Sequence, residues 1–157
     1  MKRLKSVIGL FIVMSLTQAS LAATERVKPA LLQYTPEFIL QQVLIKKNIS
    51  FRDDVAMPAI YLESKTSLQQ FQNAIESQWN FRPAVFTNAY AVKNNEIYIL
   101  DEAKYYDESK RCMDDSLAHE LTHYVQVKYK NYDLNDESLE WDAIEVQTWF
   151  RDNFCKF

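Results

Sequence analysis

His119-Glu120-Leu121-Thr122-His123 is the stretch that decides how this chain is read, because it holds both histidines of a 157-residue sequence, four positions apart. A helix turns about 100° per residue, so imidazoles at that spacing leave one face one turn apart, within reach of a single metal ion. Glu120 follows the first histidine and leans to the same side, where an ionised carboxylate can take a proton from a water on that ion. The run is the HExxH pattern of zinc hydrolases. Around it, Leu117, Ala118, Leu121, Tyr124 and Val125 recur at helical spacing, and the histidines lie almost opposite the centre of that stripe. The spacing therefore predicts a helix with a core face and a metal face. Asp114, Asp115 and Ser116 precede the stripe as N-cap candidates.

A catalytic zinc normally takes three protein ligands and leaves one position for water. With no third histidine in the sequence, the remaining ligand must be Asp, Glu or Cys. Gln126 and Tyr129 stand where the HExxHxxGxxH pattern of metzincins requires glycine and histidine, which excludes that arrangement. The next helical stretch, roughly 136–153, offers Glu137, Glu140, Asp142 and Glu145. Its buried face is defined by Leu139, Ala143, Val146, Phe150 and Phe154. Glu140 lies at the border of that face, about 80° from its centre, whereas Glu145 points more than about 120° away. Glu140 is the expected third ligand, with Glu137 and Asp142 as alternatives.

At this point the chain resembles the gluzincin metallopeptidases, the thermolysin-like group that pairs HExxH with a glutamate, and it is most similar to their minimal single-domain members. Their ligand glutamate commonly opens Glu-x-x-Ala or Glu-x-x-x-Asp, and Glu140-Trp141-Asp142-Ala143 fits the first form. The second form fails, because Ile144 stands where an aspartate would orient the first histidine. Asn88-Ala89-Tyr90 is similar to the Asn-Ala-aromatic edge segment with which such enzymes hold a substrate backbone. The resemblance covers about residues 84–154. It implies an α+β, zincin-like domain with a small antiparallel sheet, an HExxH helix and a C-terminal glutamate helix. It also implies Zn2+ on His119, His123 and Glu140, Glu120 as general base, and Asn88 and Ala89 at a peptide or protein substrate laid along the edge strand. Tyr105, Tyr106, Tyr132 and Arg151 all border the metal helices, and the oxyanion donor among them stays open. A zincin-shaped module that holds metal or a partner without catalysis is the competing class.

Lys2, Arg3 and Lys5 precede the apolar run Val7 to Leu16, and Ser20-Leu21-Ala22 places small residues where a signal peptidase reads them. Residues 1–22 are thus expected to be a cleaved signal peptide, followed by one domain over 23–157. The apolar run is short for a span of about 20 residues, and no cysteine lies near the cleavage point to carry a lipid. This pattern suits a periplasmic or secreted protein of a Gram-negative bacterium, with no stable membrane association after cleavage. The full chain carries a net charge of −3 and has no basic stripe, which argues against a nucleic-acid partner. Its length makes one core, read here as that of a monomer.

In an oxidising compartment Cys112 and Cys155 are expected to bond to each other, tying the zinc helix to the helix that carries Glu140. Loop entropy gives such a bond up to about 4 kcal/mol. The alternative, zinc ligation by Cys112, lacks the paired cysteine that structural sites present. Elsewhere Thr35-Pro36 opens a helix through about Lys47, 59–62 reads as a strand, and Thr66 or Ser67 caps a helix through about Trp79. The segments 83–92 and 96–100 flank Lys93-Asn94-Asn95 as a hairpin. The sole glycine is Gly9, so asparagine must supply any positive φ angle that this turn needs. Whether 24–50 joins the core or covers the cleft is left open.

Overall fold

In a computed structural model, which describes residues 28–157, three of the five α-helices begin at a residue whose side chain caps them. Thr35 caps α1 (Pro36–Lys46), its hydroxyl accepting from Phe38 N, with proline at the first helical position. Ser67 caps α2 (Leu68–Trp79) in the same way through Gln70 N. Between them runs β1 (Ala59–Leu62), ended by one 3-10 turn at Glu63–Lys65. The chain continues through β2 (Ala89–Ala91), β3 (Glu96–Ile99), α3 (Ala103–Ser109), α4 (Met113–Lys128) and α5 (Ser138–Phe154). The expected signal segment, 1–22, lies outside the described residues. Among the described residues no helix is long and apolar enough to cross a membrane.

The domain is α+β, but its sheet is mixed where an antiparallel one was expected. β3 is the central strand, antiparallel to β2 and parallel to β1, in the order β1-β3-β2. The reason is the crossover: after β1 the chain returns through α2 before the β2–β3 hairpin forms, so β3 enters beside β1 running the same way. The hairpin turns on Asn95 at φ 54°, as the lack of glycine required. Its first arm is shorter than expected, beginning at Ala89. Register follows from one bond. Ala59 N donates to Asn95 O, so the Asn95 carbonyl and the backbone groups of Ile97 and Ile99 turn to β1, and Glu96 and Tyr98 turn theirs to Ala91 and Ala89 of β2. The outward backbone groups of the β2 edge therefore belong to Asn88, Tyr90 and Val92.

The α4 stripe is the centre of the main core: Leu117, Ala118, Leu121, Tyr124 and Val125 are all buried. They pack against Ile39, Leu40, Val43 and Leu44 of α1, Val146 and Phe150 of α5, and Ile97 and Ile99 of the sheet. A second, smaller cluster of Phe71, Ile75, Phe86 and Tyr98 holds α2 to the opposite face of the sheet. The start of α4 differs from expectation. Its cap is Cys112, whose sulfur accepts from Asp115 N while Asp115 Oδ2 accepts from Cys112 N at 3.1 Å. Asp114 and Ser116 fall inside the helix; the buried Asp114 carboxylate accepts from Gln33 N and Tyr34 N at 2.8–2.9 Å, fixing the segment ahead of α1. Cys112 and Cys155 form a disulfide, with Cα atoms 5.9 Å apart, so neither sulfur is free for a metal.

Candidate metal centre

α4 projects His119 and His123 toward α5, and α5 projects Glu140 back. The two Nε2 atoms are 3.1 Å apart, and the Glu140 oxygens stand 3.2 Å from His119 Nε2 and 3.1 Å from His123 Nε2. Donors bonded at about 2.0–2.1 Å to one tetrahedral ion stand about 3.3 Å apart, so the imidazole pair has the separation such an ion needs, and the carboxylate, which meets His119 through Oε1 and His123 through Oε2, is within reach of it. These two imidazoles and one carboxylate could together hold a metal ion, and their types are those of catalytic zinc sites. The other acids on α5 are engaged elsewhere. Asp142 pairs with Lys47, Glu145 with Lys46, and Glu137 sits at the N-cap of the helix.

A carboxamide stands beside His123, and another meets α4 one turn before His119. His123 Nδ1 meets Gln126 Oε1 at 2.9 Å, and the Gln126 amide nitrogen donates to Leu139 O and to Asp142 Oδ2. Those two acceptors fix which end of the amide is oxygen, so Nδ1 carries a hydrogen; protonated His123 then donates from Nε2 to Glu140, and neutral His123 presents an Nε2 lone pair. His119 Nδ1 is buried without a hydrogen-bond partner, and Gln147 of α5 meets α4 at Asp115, one turn before it. The amide nitrogen of Gln147 donates at 3.1 Å to Asp115 Oδ1, which also receives Arg111.

Burial and the neighbouring His123 pull His119 down to about 4, keeping it a neutral donor. Burial also lowers His123, but the hydrogen bond to Glu140 and the charge of Glu120 outweigh it and leave the net shift upward. The hydrogen bond from His123 holds Glu140 below its ordinary value. Glu120 is only 5% exposed, and desolvation raises it to about 7 despite the attraction of His123. A carboxyl poised near neutrality can both take and return a proton.

These groups line a cleft of about 660 Å³ whose far wall is the last turn of α2, the β2 edge and the loop at Tyr132–Asn135. Asn88 and Ala89 both line it, yet not as an open strand edge would place them. The Asn88 Oδ1 accepts from Leu100 N at 2.7 Å, and Ala89 turns its backbone groups into the ladder with Tyr98. The outward Tyr90 O and Val92 N are both bonded at 2.9 Å to the carboxamide of Gln78 on α2. Of the four oxyanion candidates only Tyr132 lines the cleft. No residue of 28–50 does; α1 is part of the core.

The sequence reading missed Gln78, Gln126 and Gln147. Gln126 shows in the sequence only as a residue standing where a metzincin needs glycine, although three positions after His123 it shares that histidine's helical face. Gln147, two turns beyond Glu140, had the same kind of signal. No protein-family model matches the chain, and the searches of curated proteins and of solved structures find no match either. Site geometry alone carries the functional reading.

Proposed function

We propose that this chain is a zinc-dependent hydrolase of peptide bonds, with His119, His123 and Glu140 holding the ion and Glu120 moving the proton. The observation that carries this is the pair of imidazole nitrogens 3.1 Å apart, with Glu140 Oε1 3.2 Å from one and Glu140 Oε2 3.1 Å from the other, beside a buried carboxyl that desolvation raises to about 7. When bound, zinc supplies a Lewis acid that polarises the scissile carbonyl and makes a water acidic enough to attack near pH 7. Glu120 then takes the proton from the attacking water and delivers it to the leaving amine, a role its raised pKa suits in both directions. Tyr132, facing the cleft, is the available O–H donor for the developing oxyanion. The Tyr90 backbone N–H lies beside the Glu120 carboxylate and steadies its ionised form.

The charged, apolar and small-residue segments of 1–22 together with the Cys112–Cys155 disulfide support a periplasmic or secreted location. A second reading, a metal-holding binding module, draws on one observation: Gln78 already occupies two outward groups of the edge where a peptide strand would add. One pair of measurements separates the two. The mature protein should contain close to one zinc per chain and cleave an unfolded protein such as casein. Glu120→Gln should keep the zinc and lose the cleavage by about 10²–10⁴-fold. Zinc without cleavage in the wild type would favour the binding module, and no stoichiometric zinc would remove both.

A further inference from the structure

We infer that Gln126 and Gln147 are positioning residues for the two imidazoles, doing with neutral carboxamides what an acidic partner does in the commoner arrangement; this rests on the zinc reading above. An imidazole that gives its Nε2 lone pair to a cation must carry its hydrogen on Nδ1, and that N–H needs an acceptor when it is buried. For His123 the acceptor is in place at 2.9 Å. For His119 the buried Nδ1 is an orphan, Ile144 offers nothing polar, and the amide available on that side of α4 is Gln147, held at Asp115 one turn before the histidine.

The two glutamines are built alike although they come from different helices. Gln126 sits on α4 and is anchored through its nitrogen to Asp142 of α5, which pairs with Lys47. Gln147 sits on α5 and is anchored through its nitrogen to Asp115 of α4, which pairs with Arg111. In each case an aspartate held by a basic residue takes the amide N–H, which leaves the amide oxygen as the end that can serve an imidazole N–H. Each relay also crosses from one metal-bearing helix to the other, so the histidines are oriented by the same contacts that set the spacing of α4 and α5. Glu140 is then the single charged ligand, because neither carboxamide adds negative charge behind an imidazole.

The test is zinc affinity, measured on the disulfide-bonded chain by competition with a chromogenic chelator, with the absorption spectrum of the Co2+ form as a report on ligand geometry. Gln126→Met and Gln147→Met keep side-chain length and remove the acceptor; each should weaken zinc binding by about 10–100-fold and alter the Co2+ bands, with circular dichroism unchanged. The paired exchange Gln126→Glu with Asp142→Asn reverses the amide and the acid, keeps the charge, and restores an oxygen to His123 Nδ1. It also leaves Leu139 O without the donor that Gln126 gives it, so it should bind at least about threefold tighter than Gln126→Met without matching the wild type, a rescue that a mere packing role would not produce. Folded methionine variants with wild-type affinity, or an exchange variant as weak as Gln126→Met, would overturn the inference while leaving the zinc reading intact. If Gln126→Met does not fold, Gln147→Met decides by the same criterion. A wild type that takes no zinc removes both.

Discussion

The two walls of the cleft are held by different means. The wall that carries the donor atoms is α4 against α5, fastened by a disulfide at one end, by the Arg111–Asp115–Gln147 and Lys47–Asp142–Gln126 relays along its length, and by an apolar seam through Leu121, Val146 and Phe150. The facing wall, made by the end of α2 and by β2, rests on the small cluster of Phe71, Ile75, Phe86 and Tyr98 and on the bonds of Gln78. The groups proposed to meet around one ion are cross-braced. Groups that would meet a variable peptide are not. Division of this kind is what a preorganised metal site beside an adaptable substrate wall requires.

Breaking the ligand wall should have the largest effect. Cys112→Ser with Cys155→Ser opens a loop of 43 residues and should cost about 4 kcal/mol of stability by chain entropy, read from urea unfolding, and zinc affinity should fall with it. Phe71→Ala strikes the facing wall instead; it should cost about 3 kcal/mol and leave zinc affinity unchanged. A loss of zinc affinity in that variant would show that the walls are coupled. Affinity should also depend on pH through the ligand wall alone. His123 is raised above 6.5 and must shed its proton to bind, while Glu120, raised to about 7, favours the cation only when ionised. Binding therefore weakens as pH falls from 8 to 6, by up to about tenfold, or about 1.4 kcal/mol, per unit for each proton displaced. Calorimetry in buffers of different ionisation enthalpy should count those protons, with the same slope in Phe71→Ala. The smallest effect is expected at Gln78→Ala, which removes two hydrogen bonds to the edge strand at a cost of about 1 kcal/mol. It should lower KM for extended peptides with little change in kcat.

The ligand wall was also the more legible one. His119, Glu120 and His123 share a helix, so their meeting is a matter of local spacing, and the apolar period of α5 was enough to pick Glu140 from four acids. The helix caps Thr35 and Ser67, strand β1 and the Asn95 turn were legible for the same reason, since each is decided within a few residues. What escaped depends on partners distant in the chain. The parallel β1–β3 pairing joins residues separated by α2 and β2, and nothing local marks it. Cys112 looked like half of a disulfide and is the cap of α4 as well. Asn88 and Ala89 reach the cleft wall, but which backbone groups face outward is set by the register of β3 on β1, which the tripeptide does not contain. α3, seven residues long, carries too short a pattern to announce itself.

The described chain contains no glycine, and four successive helices each leave through a residue that has a Cβ in the left-handed region: Asn48 after α1, Asn80 after α2, Lys110 after α3 and Asn131 after α4. Glycine at such exits would be a swivel. Here the unfolded chain has fewer conformations to surrender, a saving of about 0.4–1 kcal/mol per site, and the folded chain meets a steric penalty of comparable size at each. The two nearly cancel, so the net result is directional: each exit holds its loop to one course, and the direction in which the chain leaves each of the four helices is set at the helix's own end.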